Sequence, residues 1–188
     1  NKAAWGASAY IGYAPQGSVT KPLTGLSSNT TYHYRMYASN MFGGAWATPS
    51  TNFLTLTLPL LNSPTAPFAT ISTNSATLGA TVTFAGNTVL TSRGTVWGAA
   101  PAPTGNGAAE GGTNVSAFTH SRTGLTPGSL VYYRGYAVNV VGTGYSVDGS
   151  FYCEPVNANT VTFSAVTTGS LTIAWVTNLT YATGSVVV

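Results

Sequence analysis

The chain has 188 residues, of which 44% are hydrophobic and only 5% charged, with a formal net charge of +3; an average soluble domain carries roughly 25% charged residues. The basic residues are scattered, which argues against a nucleic-acid face, and no apolar run approaches the roughly 20 residues of a membrane-spanning helix. The single cysteine, Cys153, excludes an intrachain disulfide and leaves two alternatives, a small buried apolar residue or a chain-to-chain link.

In chain order the pattern is one of short strands. Tyr32, Tyr34, Met36 and Ala38 alternate with His33, Arg35 and Tyr37, and Ala80, Val82 and Phe84 alternate with Thr81 and Thr83. Further strands are expected from Arg93 to Trp97, Ala117 to Thr119, Val131 to Ala137, Ser150 to Tyr152, Thr160 to Phe163 and Gly184 to Val188. Leu171, Ile173 and Trp175 alternate with Thr172 and Ala174. Nowhere is an apolar helical repeat sustained, so the expected class is all-β.

A long internal repeat organises these strands. The segment from Leu23 to Asn40 returns from Arg122 to Asn139, with Leu26 matched to Leu125 and every pair 99 positions apart. Both copies continue through a glycine turn, Gly43-Gly44 or Gly142-Thr143-Gly144, to a strand carrying Phe53 or Phe151.

These residues resemble the fibronectin type III family and its immunoglobulin-like relatives in bacterial extracellular tandem repeats. In that family a Leu closes one strand and, after a short turn, a Tyr opens the next as a tyrosine corner. Tyr32 has that place in the first copy, whereas the second has Val131 with Tyr132 beside it. The family's core Trp is matched by Trp175, and the corresponding strand of the other copy has Ala80 instead. The resemblance covers most of the chain, implies β-sandwiches, and says almost nothing about a ligand.

Counting strands gives one complete sandwich and two parts of another. Residues 59–154 hold first, middle and last strands; 1–58 hold only middle and last strands; 155–188 hold only first strands. Asn1 opens in mid-pattern, so the gene product's own N-terminus is expected to lie outside this sequence. Val186, Val187 and Val188 followed by Asn1 restore family order. Leu171, Ile173, Trp175, Val186, Val187, Val188, Tyr32, Tyr34 and Met36 are thus the expected joint between copies. The joint could form within one chain, between chains, or between repeats of a longer array; self-closure fits worst because the linkers are short.

Catalysis finds little support. His33 is expected to point outward and His120 to sit at a strand end, while Glu110, Asp148 and Glu154 lie in turn or linker settings. No nucleophile motif, phosphate loop, metal site or cofactor is expected. Asn29, Asn114 and Asn178 head glycosylation sequons in expected loops, so covalent glycans are possible partners. Tyr37, Arg35, Tyr132, Arg134 and Tyr136 form either a ligand- or partner-binding face or a set of cross-strand pairs covering a sheet. The expected function is structural: an extracellular or cell-surface filament subunit joined head to tail to copies of itself. The alternative is an adhesive or carbohydrate-binding module.

Overall fold

The computed structural model describes residues 6–62, 64, 70–156 and 160–176. The chain divides into two compact units, Asn1–Leu56 and Thr57–Val188. In the first, β1 (Thr31–Tyr34) pairs with β4 (Thr51–Leu54) and β2 (Tyr37–Asn40) pairs with β3 (Gly43–Trp46), all antiparallel. Contrary to expectation, residues 6–30 contain no strand. At the repeat offset of 99, the positions matching β9 are residues 18–24, which are described and carry no strand pairing.

The second unit contains a Greek-key sandwich. One sheet is β5 (Leu60–Leu61), β6 (Ser75–Phe84) and β9 (Ala117–Thr123), in that spatial order. The other has β7 (Ser92–Gly98) between β8 (Ala108–Ala109) and β10 (Leu130–Asn139). Along the far edge of β10 lie β11 (Gly142–Tyr145) and then β12 (Gly149–Tyr152). Pairing of β6 with β9 and of β7 with β10 interlocks the two sheets through non-consecutive partners. The chain is all-β.

Period-two alternation builds the core. On β10, Val131, Tyr133, Gly135, Ala137 and Asn139 are buried, whereas Tyr132, Arg134, Tyr136 and Val138 are only half-buried. Val131, Tyr133, Phe151 and Cys153 pack with Ala76, Leu78 and Leu125 across the sandwich, and a second cluster gathers Ala80, Val82, Leu90, Phe118 and Ala137. Asn139 spends its whole amide: Nδ2 donates to Thr57 O (2.8 Å) and Ala85 O (2.9 Å), and Oδ1 accepts from Val141 N (2.8 Å) and Gly142 N (3.2 Å). A buried Asn so satisfied costs little and ties the end of β10 to the linker and to the loop after β6.

The remaining strands, β13 (Thr160–Ser164) and β14 (Thr172–Val176), form an antiparallel hairpin with Phe163 opposite Ile173. Its loop carries the turn that precedes β6. Thr167 N donates to Ser170 O at 2.9 Å, as Ser72 N does to Ser75 O at 2.8 Å, 95 positions earlier.

The sheets approach closely where Gly135 faces Ala80: a Cβ placed on Gly135 would clash with the Ala80 Cβ. Overpacking of this kind costs about 1–3 kcal/mol. Gly135→Ala is therefore expected to lower the unfolding free energy of the second unit, measured by urea titration, by that amount and so to lower its midpoint, with part of it recovered in the Ala80→Gly/Gly135→Ala double variant. A Gly135→Ala midpoint equal to the parent's would contradict the close approach.

Candidate functional site

The two strand pairs of the N-terminal unit repeat the register of β10 with β12 and with β11 in the central sandwich. Tyr32 faces Phe53 as Val131 faces Phe151, and Tyr37 faces Trp46 as Tyr136 faces Tyr145. The link between its two hairpin segments recurs too: Ala47 N donates to Met36 O at 2.9 Å where Ser146 N donates to Gly135 O at 3.0 Å. Even the aromatic geometry is kept. Tyr34 and Phe53 meet edge to face at 6.0 Å and 61°, against 5.8 Å and 67° for Tyr133 and Phe151.

What differs is cover. Tyr133 and Phe151 are 1% and 7% exposed, whereas Tyr34 and Phe53 are 43% and 36% exposed. Leu125 is buried at 3%, and its counterpart Leu26 is exposed at 37%. Met36, at the position of Gly135, is exposed as well. These aromatic and aliphatic side chains of the first unit are thus exposed where their repeat counterparts are buried.

Local bonds set this face. Tyr32 Oη accepts the Ser27 N–H at 2.9 Å, the backward bond of a tyrosine corner, and Tyr32 stacks on Phe53 at 5.8 Å. Thr55 Oγ1 donates to Ser27 O at 2.7 Å and accepts the Thr30 N–H at 2.9 Å, holding the loop before β1 against the end of β4. In the central sandwich Val131 fills the core at the corner position, so that corner is absent there and Tyr132 stays half-exposed.

Of the expected joint, Tyr32, Tyr34 and Met36 lie in or beside β1 and β2. Leu171, Ile173 and Trp175 lie on or next to β14, with Leu171 exposed and Ile173 half-buried. Val186, Val187 and Val188 fall outside the described residues, as does Asn178. Leu26 and Phe53 were missed as members of the face. The repeat could have found them, because their counterparts are core residues.

The aromatic and basic residues of the outer face pair within the fold. The Arg35 guanidinium lies 5.7 Å from the centre of the Trp46 ring and its Nε donates to Ala47 O at 2.6 Å; Tyr37 meets Trp46 at 4.8 Å. Arg134 repeats this over Tyr145 at 4.3 Å, donates to Pro103 O at 2.9 Å, and lies 3.7 Å from Asp148. Tyr132 and Tyr136 flank Arg134 on β10, both half-buried. These are cross-strand pairs covering a sheet.

Titratable groups also serve the scaffold. His120 is in the middle of β9, not at a strand end: its Nε2 is 2.5 Å from Thr95 Oγ1, bridging the two sheets. Burial, with the Arg122 charge, holds its pKa below the usual histidine value. Glu110 ion-pairs with buried Arg93 at 2.9 Å, and this hydrogen bond keeps its carboxyl below the ordinary range. Cys153 is buried and its thiol is pushed up by burial, which leaves little thiolate for a chain-to-chain link. Asn29 and Asn114 are exposed in loops. Among the described residues no three His, Cys, Asp or Glu side chains converge as a metal site would require, and no helix is long and apolar enough to cross a membrane.

No protein-family model matches the chain, and no curated protein matches it. Among solved structures it is similar to the solution structure of the sixth fibronectin type III domain from human fibronectin type III domain containing protein 3. That similarity is 21% identity over 56% of this chain and 89% of that chain, with a TM-score of 0.34. The pairing of its own strands establishes the fold: among the described residues, an all-β chain with one Greek-key sandwich in the second unit and two antiparallel strand pairs in the first.

Proposed function

We propose that this chain is a structural unit of an extracellular filament, its copies joined head to tail by completion of a split β-sandwich. The hairpin β13–β14 of one copy would close the open N-terminal sheet of the next, as β5 and β6 close the equivalent sheet in the central sandwich. The same joint would serve separate chains or successive repeats of a longer one. The observation that carries this reading is the Tyr34–Phe53 pair, set in core geometry yet open to water.

The energetics favour it. Covering about 500 Å² of apolar surface on each side is worth on the order of 10 kcal/mol or more before the costs of association. With only 5% of residues charged, little repulsion opposes close packing of copies. A charge-poor surface rich in hydroxyls and amides also suits an extracellular material carrying glycans on Asn29 and Asn114.

The expected behaviour is growth with concentration of species far larger than the 19.2 kDa chain, followed by light scattering and size exclusion. Phe53→Asp would place a charge in the joint, and Ile173→Asp would do so from the other side. Each variant alone should stay monomeric, while an equimolar mixture should stop at dimers, because one intact sheet then meets one intact hairpin. Parent chain that remains monomeric at high concentration overturns the reading, as does unimpaired growth of both variants. For the glycans, protein from its native source should exceed the mass of the bare sequence; an intact mass equal to that sequence removes this part.

A further inference from the structure

In the central sandwich the turn leading into β6 does more than reverse the chain. Ser72 and Ser75 clamp it: Ser75 N donates to Ser72 Oγ at 3.1 Å, and the two hydroxyls lie 2.7 Å apart. Closed in this way, the turn offers two backbone carbonyls to its neighbours. Ser72 O accepts the Glu154 N–H at 3.2 Å, just past β12, and Asn74 O accepts the Leu125 N–H at 3.0 Å, just past β9, where it extends the β6–β9 ladder. One turn therefore ties the start of β6 to the end of β9 in its own sheet and to the end of β12 in the other.

Hairpin β13–β14 carries this device complete. Ser170 N donates to Thr167 Oγ1 at 3.0 Å, and the hydroxyls of Thr167 and Ser170 lie 2.7 Å apart. Gly169 N donates to Thr167 Oγ1 at 3.3 Å, where Asn74 N donates to Ser72 Oγ at 3.4 Å. The receptors have counterparts as well. Leu125 corresponds to Leu26, and Glu154 to Leu56, since the shared register also aligns Cys153 N–Ser129 O with Thr55 N–Thr30 O.

We propose that the turn Thr167–Ser170 is a preformed docking plug for a second copy of this chain. Its Thr167 and Gly169 carbonyls receive the N–H groups of Leu56 and Leu26 of that copy. This rests on the sandwich-completion reading and adds what sets its register. Apolar contact between a strand and an open face tolerates a slip by two residues, since alternate side chains keep their side of the sheet. Two directional hydrogen bonds from a rigid turn do not. Because the clamp closes within the hairpin itself, the ordering cost of the turn is met before the partner arrives.

Thr167→Val keeps the side-chain shape and removes the oxygen that closes the turn. In the full chain it is expected to raise the critical concentration for assembly about tenfold, with Thr167→Ser restoring the parent value. Ser72→Ala, the matching change in the central sandwich, should lower that domain's unfolding midpoint and leave the critical concentration unchanged. If the parent chain assembles and Thr167→Val assembles at the same concentration, the plug is overturned while completion stands. Equal impairment of Thr167→Ser and Thr167→Val also overturns it, since the hydroxyl is then not what matters. Failure of the parent chain to assemble overturns the completion reading itself.

Discussion

An antiparallel sheet with one apolar face must lay that face against something, and in this chain the requirement centres on an aromatic pair. Tyr133 and Phe151 meet edge to face beneath Leu78 and Ala76, sealed by a second sheet that the chain supplies from the strands before them. Tyr34 and Phe53 present the same pair in the same register without that seal. Most other features of the molecule follow from this contrast: Tyr32 and Thr55 brace the open sheet from its rim, and a hairpin of first-strand type lies at the other end of the sequence.

The two repeat copies are not interchangeable. Ala80 and Gly135 allow the sheets of the central one to touch almost backbone to backbone. At the same repeat positions stand Trp175 and Met36. The spacing of the central sandwich, which excludes even a methyl group at Gly135, is therefore not one that Met36 could adopt.

Much of this was legible in the sequence because strand alternation and the 99-residue repeat are both direct consequences of the fold. The alternation around Tyr34 put it among the residues of the expected joint, and the shared Leu-to-Asn segment tied the two sets of strands together. Other features were hidden for physical reasons. His120 looked terminal because β9 continues through the polar run Ser121-Arg122-Thr123, held by its ladder to β6 and not by side-chain pattern. The turn at Thr167–Ser170 has no hydrophobic signature, and its likeness to Ser72–Ser75 lies in hydroxyl bonding, which the residue types allow but do not announce.

The most direct measurement is proximity between chains at the joint. In a Cys153→Ser background, isotope-labelled chains carrying Ser27→Cys can be mixed with unlabelled chains carrying Thr168→Cys and treated with a short bismaleimide. Both positions adjoin the predicted Leu26–Gly169 hydrogen bond without occupying the apolar face. Sandwich completion predicts that the main cross-linked peptide joins labelled position 27 to unlabelled position 168 and is lost when Ile173→Asp is added to the unlabelled chain. Absence of that peptide, or its persistence in the presence of Ile173→Asp, would contradict it.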